Sequence, residues 1–139
     1  MSHSLVFISH ITEEKEVAIA LQELVEKSFL GMIDVFVSSD ENSIQMGQRW
    51  LENITTALST CAVELILCSP KSIGRPWINF EAGAGWIRQI PVIPFCHSDM
   101  TVSQLPMPLN MLEAAQSTEV PSLRRTFRVL ATAINTSRS

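Results

Sequence analysis

The stretch Ala62-Val63-Glu64-Leu65-Ile66-Leu67-Cys68 is a short, nearly continuous run of apolar residues, and Ser69-Pro70 ends it. Only Glu64 interrupts the run. An apolar run of this length, bounded by turn residues, is typical of a β-strand that is covered on both faces. Strands of this kind form parallel sheets with helices packed on both sides. Residues 62–68 therefore predict a buried strand of such a sheet.

Strand-like and helix-like patterns alternate on either side of this run. Short apolar runs predict further strands at 5–8, 33–37 and 91–96. Helical spacing of apolar residues, with Thr12 as a cap and Gly31 as a stop, predicts helices at about 12–31, 47–60, 76–86 and 121–134. The segment 99–117 is expected to hold loop, a helical turn and a short edge strand. We therefore predict a flavodoxin-like three-layer α/β/α fold with a five-stranded parallel sheet.

Length and composition fit a single domain. The chain has 139 residues, of which 46% are hydrophobic and 17% charged, which is enough for a proper core. We therefore expect one domain over 1–139. The polar tail at 135–139 would also fit the end of an N-terminal effector domain cut from a longer protein.

Charge and cysteine content restrict the class of protein further. The formal net charge of −4 argues against a nucleic-acid surface, which needs clustered Lys and Arg. The cysteines at 61, 68 and 96 make no close pair, so we expect reduced, buried thiols and a cytoplasmic location.

The first apolar run, 5–8, is too short for a signal peptide or a membrane span. No second histidine stands at ligand spacing, so we predict no metal site.

In parallel α/β sheets, ligands bind beyond the carboxyl ends of the strands. In this chain those ends carry polar or turn-forming residues, namely Ser9-His10, Ser38 to Asp40, Ser69-Pro70 and His97-Ser98. The helix predicted to follow Arg75 starts at the same edge. We therefore expect a polar pocket at this rim.

The stretch Arg75-Pro76-Trp77-Ile78-Asn79-Phe80-Glu81-Ala82-Gly83-Ala84-Gly85-Trp86 places a lone carboxylate among apolar and small residues. Pro76 suits the first turn of a helix, so Trp77 and Glu81 lie one turn apart and can border one pocket. The small residues at 83–85 would let backbone or a ligand approach closely. The alternative interpretations are a solvated surface glutamate and an ordinary core tryptophan.

Two frequent classes of protein with this fold lack their motifs here. An FMN-binding protein needs a glycine- or threonine-rich phosphate loop after the first strand, and Ser9-His10-Ile11-Thr12 contains no glycine. A response regulator needs an acidic pair after the first strand and an aspartate after the third, where Ser9-His10 and Ser69 stand. Both classes are excluded.

Three motifs together resemble a Toll/interleukin-1 receptor (TIR) domain: Phe7-Ile8-Ser9-His10, the loop from Asp40 to Gly47, and Trp77-x-x-x-Glu81. The resemblance covers nearly the whole chain, and the last motif is similar to the NAD-cleaving members found in bacteria. His10 stands where the family often has a tyrosine. The resemblance implies an NAD+ nucleosidase that takes NAD+ as substrate, needs no cofactor and uses Glu81 as its catalytic residue.

The resemblance also implies where the substrate and partner domains bind. The candidate substrate-binding residues are Trp77, His10, Ser9, Ser39 and Asp40, with His97 as a weaker candidate. The loop that contains Ser43 and ends at Gly47 would pack against a neighbouring TIR domain in a homo-oligomer or filament. Control by such assembly would suit an effector in bacterial antiphage defence that a fused or separate sensor domain triggers.

One carboxylate is enough for this reaction. Ordinary glycosidases also need an acid for the leaving oxygen, but the pyridinium of NAD+ departs as neutral nicotinamide. Glu81 would therefore only have to stabilise the positive charge that develops on the ribose. The product would be ADP-ribose or a cyclic isomer. Two other functions stay open, a non-catalytic TIR–TIR interaction module and a nucleoside deoxyribosyltransferase-like enzyme, which shares the fold class and the N-glycosidic chemistry.

Overall fold

The computed structural model describes residues 4–39 and 43–137, without the side chains of 43–48 and 136–137. The strands are β1 at Ser4–His10, β2 at Ile33–Ser39, β3 at Val63–Cys68, β4 at Val92–Cys96 and β5 at Ala115–Gln116. The helices are α1 at Lys15–Ser28, α2 at Ser43–Thr60, α3 at Pro76–Arg88 and α4 at Val120–Ser137. Short 3₁₀ turns lie at Thr12–Glu14, Val102–Gln104 and Leu109–Met111.

All five strands are parallel and lie in the order β2-β1-β3-β4-β5. The predicted flavodoxin-like fold is therefore confirmed. The apolar run at 62–68 contains β3, the central strand, because Leu65 lies opposite Ile8 of β1 on one side and Ile93 of β4 on the other. The strand order reverses between β1 and β3. Their carboxyl ends flank the crevice in which folds of this type bind ligands.

The sheet separates two hydrophobic layers, because successive side chains of a strand point to opposite faces. On one face, Ile8 and Leu65 pack with buried residues of α1 and α4. On the other face, Phe7 packs with residues of α2, and Ile66 packs with residues of α3. Ser9 shares the face of Phe7, so it points toward the layer that contains α2 and α3.

The start of α1 differs from the sequence prediction. Thr12 does not cap the helix, since it begins the 3₁₀ turn and α1 starts three residues later at Lys15. Its hydroxyl lies 2.9 Å from the hydroxyl of Ser39 instead. A threonine side chain that finds a partner on a neighbouring strand is not available to the backbone of the helix.

The connection between the predicted strand at 33–37 and the predicted helix at 47–60 is shorter than expected. β2 continues to Ser39, and α2 already begins at Ser43. Asp40 lies outside the described residues. The prediction that Gly47 ends a loop is wrong, because Gly47 lies inside α2. A glycine costs a helix only about 1 kcal/mol relative to alanine, and the packing of a long helix can offset that.

None of the helices in the described ranges is both long and apolar enough to cross a membrane.

Candidate functional site

Glu81 lies on the face of α3 that packs against the sheet. The helix begins at Pro76, after an extended Arg75, and ends at Arg88, where Gln89 caps it with left-handed backbone geometry. Its buried residues are Ile78, Glu81, Ala82 and Gly85, and this spacing defines one helical face. Glu81 is 0% exposed. The interpretation of Glu81 as a solvated surface residue is therefore wrong.

Two serines hold the carboxylate of Glu81. Ser9 donates a hydrogen bond to Oε1, and Ser38 donates one to Oε2 over 2.6 Å. Ser9 of β1 and Ser38 of β2 are partners in the register of the sheet, so their side chains lie next to each other on one face. Hydrogen bonds to a carboxylate are charge-assisted and stronger than those between neutral groups. The ends of two strands thus present a pair of donors to one acid.

Ser9 is among the residues predicted to bind the substrate, whereas Ser38 is expected only as part of the polar rim at the strand ends. The sequence contains only a weak signal for this pair, since each serine is simply a polar residue that follows an apolar run. Only the pairing of Ser9 with Ser38 in the register shows that the two hydroxyls converge. Both serines are buried, so the site is closed in this structure.

A second buried carboxylate, Glu64, lies under the same helix. It is 0% exposed, and a Cβ atom on Gly85 would come within 1.5 Å of its Oε2. Burial, and next the nearby charge of Glu81, raise the pKa of Glu64 to about 8, while Arg88 acts in the opposite direction. In the sequence, Glu64 is noticeable only as the charge within an apolar strand.

Trp77 belongs to an aromatic stack. Its ring centroid lies 5.1 Å from that of Trp50 on α2 and 5.3 Å from that of Phe80, with both pairs stacked. The side chain also packs against the buried cluster around Phe7. The indole Nε1 is buried and has no hydrogen-bond partner in the described part of the chain. These contacts favour the interpretation of Trp77 as an ordinary core tryptophan. Its role in substrate binding stays a prediction.

Two of the remaining candidates, His10 and Ser39, point away from Glu81. His10 follows Ser9 in β1, so its side chain points to the opposite face of the sheet. Ser39 likewise alternates with Ser38, and its hydroxyl is close to that of Thr12. The roles of His10 and Ser39 in binding a substrate stay predictions.

His97 lies at the end of β4 in a group of its own. Its Nδ1 is 2.8 Å from the hydroxyl of Ser98, and its Nε2 is 3.4 Å from Oε1 of Glu14. Burial lowers the pKa of His97 below its usual value, although the carboxylate of Glu14 acts in the opposite direction. His97 therefore pairs with the start of α1 rather than with Glu81.

The three thiols have the character of core side chains. Cys61, Cys68 and Cys96 are all buried and free. Burial is the main cause that raises the pKa of Cys61 to about 12 and that of Cys96 to about 11. Within the described ranges, no group of three or more His, Cys, Asp or Glu side chains could hold a metal ion.

Comparisons with known proteins agree on the fold. A family model described as TIR domain matches residues 6–127. The crystal structure of the TIR domain of the Toll-related receptor TRR-2 from Hydra magnipapillata superposes with a TM-score of 0.68. That match covers 96% of this chain and 99% of the Hydra chain at 18% sequence identity, so it supports the fold alone. No curated protein matches the chain significantly. Because the family match covers most of its length, the chain belongs to the TIR domain family.

Proposed function

We propose that this TIR domain is an NAD+ nucleosidase of bacterial type that cleaves the nicotinamide N-glycosidic bond. It releases nicotinamide and ADP-ribose or a cyclic isomer, and it acts after self-assembly as an effector of antiphage defence. The observation that carries the proposal is the Glu81 carboxylate, buried at the carboxyl ends of the strands and held by Ser9 and Ser38. TIR domains include NAD-cleaving enzymes, and this chain has the Trp77-x-x-x-Glu81 motif that resembles theirs.

The proposed cleavage of NAD+ needs one negative charge in a site that excludes bulk water. As the bond to nicotinamide breaks, positive charge develops on the ribose, and a fixed carboxylate stabilises it. The leaving group departs neutral, so no acid is required. A water molecule, or an adenine nitrogen for the cyclic isomer, then bonds to the ribose carbon, and the proton that the water loses passes to solvent. Glu81 supplies the carboxylate, and the two serine hydroxyls fix its orientation. Such a preoriented charge costs little reorganisation during the reaction.

Glu81 must be uncovered before it can touch a ribose, because its side chain is completely buried. The structure therefore corresponds to a resting state in the proposed mechanism. Association with other TIR domains, which are common partners in this family, is the proposed event that stabilises the open state. A cytoplasmic enzyme that destroys NAD+ needs a restraint of this kind.

A second candidate is a non-catalytic TIR–TIR interaction module, and the same burial favours it. In that case the hydrogen bonds between Glu81 and its two serines would only join α3 to the sheet. The two functions differ in one measurable product, which is free nicotinamide.

The test is the release of nicotinamide from NAD+ by the purified protein at high concentration, followed by chromatography. We expect release by the native chain, and loss of release in Glu81→Gln, which keeps the shape of the side chain and removes its charge. The matched control is Glu23→Gln, since Glu23 is exposed on α1. Release by Glu81→Gln at most of the native rate would overturn the catalytic role. No release by the native chain at any concentration would support the interaction module, and base release from deoxynucleosides alone would support the deoxyribosyltransferase alternative.

A further inference from the structure

Glu64 of β3 and Glu81 of α3 lie in the same buried layer, between the sheet and α3. Glu64 is the second residue of β3, between Phe7 of β1 and Val92 of β4. Its Oε2 occupies the space beside Gly85, which follows Glu81 by one helical turn and lies on the same buried face of α3. The acid of the strand therefore lies directly beneath the turn that follows the proposed catalytic acid.

Among the described side chains, the charged or titratable groups that act on Glu64 are Glu81 and Arg88 of α3 and Cys61, which directly follows α2. Its neighbours in the sheet, Phe7 and Val92, are apolar. Arg88 uses its Nη1 for the carbonyl oxygens of Leu58 at 2.8 Å and Cys61 at 2.7 Å, which cap the end of α2.

Both oxygens of Glu64 are buried and, within the described ranges, no donor meets them with hydrogen-bond geometry, although the backbone N–H of Gly85 is close enough to act against the rise in pKa. A carboxylate in such a place is very costly, whereas the neutral acid is much less so. Burial and the neighbouring Glu81 both raise the pKa of Glu64. At neutral pH the layer therefore contains one neutral acid, Glu64, beside one hydrogen-bonded acid, Glu81.

We propose that Glu64 is a positioning residue for Glu81: as a neutral acid it fills the space at Gly85 and lets α3 lie on the sheet, and its ionisation drives the Glu81 turn away. Two carboxylates in one buried layer repel each other strongly when both are charged. This inference rests on the proposed function only where it concerns turnover. The effect on folding is independent of any substrate.

The direction of the pH effect follows from where Glu64 ionises. In the unfolded chain it loses its proton near the ordinary pKa of 4.5, and in the folded chain only near about 8. Its contribution to stability is therefore complete below about 4.5, and it is lost progressively as the pH rises to about 8. Within that window one retained proton changes the unfolding constant by up to about tenfold per pH unit.

The first test compares urea unfolding of the native chain, Glu64→Gln and the control Glu23→Gln from pH 5 to pH 9. We expect the native chain and the control to lose stability across the window, and Glu64→Gln to lose much less. Equal pH dependence in all three would overturn the proposal. Should Glu64→Gln fail to fold, carbon-13 NMR of the native chain tests the proposal by measuring the pH at which each glutamate carboxyl group titrates. One group titrating near pH 8 supports the proposal, and titration of all groups near pH 4.5 overturns it.

A second test addresses the link to Glu81. Removing the charge in Glu81→Gln should move the titration of Glu64 to lower pH in the same NMR or unfolding measurement. An unchanged titration would show that the two side chains act independently and would overturn the positioning role.

The turnover measurement separates this inference from the proposed function. Nicotinamide release by the native chain should fall above about pH 8, because a displaced Glu81 turn loses the two serine hydrogen bonds that fix the orientation of the carboxylate. In Glu64→Gln the fall should move to higher pH. An identical alkaline fall in both proteins would overturn the effect of Glu64 on catalysis. If neither protein releases nicotinamide, the proposed function fails, and the folding and NMR results still decide whether Glu64 positions Glu81.

Discussion

The carboxylate of Glu64 lies where a side chain at Gly85 would begin: a Cβ atom there would be 1.5 Å from Glu64 Oε2 and 2.7 Å from Val92 Cγ2. Gly83 is on the same helix, yet a Cβ atom at that position would meet nothing within 4 Å. The two glycines of α3 therefore have different reasons to be glycine. One admits a buried acid, and the other faces open space.

This difference predicts opposite effects of the same substitution. Gly85→Ala would force the acid and Val92 to move, at a cost of about 1–3 kcal/mol in the free energy of unfolding. Gly83→Ala, the matched control, should instead stabilise the protein by about 0.5–1 kcal/mol, because alanine is the better helix former. Urea unfolding at pH 7 measures both values. Equal effects of the two substitutions would contradict the close contact at Gly85.

The two serines that hold Glu81 predict a second pair of effects. Ser38→Ala removes a hydrogen bond to a buried carboxylate oxygen, Oε2 of Glu81, and should cost about 1–3 kcal/mol of stability. Ser9→Ala should cost a similar amount at Oε1. The control is Ser59→Ala, because the exposed Ser59 hydroxyl donates to the carbonyl oxygen of Thr55 within α2, and its loss should change stability by no more than about 0.5 kcal/mol.

The double variant of Ser9 and Ser38 tests whether the serines act on one group. Two donors to a single carboxylate share one partner, so their effects should not add, with a coupling of about 0.5–3 kcal/mol. Additive losses would show that Glu81 does not connect them.

Most of the fold could be predicted because its signals are local. The apolar run that forms β3 and the helical spacing around Glu81 can each be read from a few adjacent residues. The errors also have local causes. Thr12 has a helix-capping side chain but uses its hydroxyl next to Ser39, and Gly47 has the character of a loop residue but lies within α2.

The site was only partly predictable, because its contacts join distant segments. Glu81 follows from its motif. The convergence of Ser9 and Ser38 requires the register between β1 and β2, which neither strand specifies alone. The contact of Glu64 with Gly85 requires the packing of α3 on β3. A charge in an apolar strand and a glycine in a helix are the only sequence signals for that contact.

Because Trp77 belongs to an aromatic stack, we expect its substitution to lower the free energy of unfolding as well as the rate of nicotinamide release. Trp77→Ala removes stacking with Trp50 and Phe80 and should cost on the order of 3 kcal/mol. Trp77→Phe should cost less. Trp86→Ala is the control, because Trp86 is 58% exposed on the same helix and its loss should have a small effect. Thermal unfolding and nicotinamide release are measured on the same samples. Normal stability with lost release would instead support Trp77 as a wall of the substrate site.

The last prediction concerns the burial of Glu81 in the single chain. Since Ser9, Ser38 and Glu81 are all buried, a ribose reaches the carboxylate only in a rearranged state. If association with other copies stabilises that state, specific activity rises steeply with protein concentration. A wide dilution series with light scattering on each sample measures this relation.

Mixing provides the sharper form of the experiment. Adding an excess of inactive Glu81→Gln to a fixed, dilute amount of native chain supplies assembly partners without adding active sites. We expect nicotinamide release per native molecule to increase, because each native chain then spends more time in an assembly. A double variant that combines Glu81→Gln with the exposed control substitution Glu23→Gln should activate the native chain as strongly as Glu81→Gln alone. A specific activity that stays constant through both dilution and mixing, in samples that remain monomeric, would show that a single chain opens its own site.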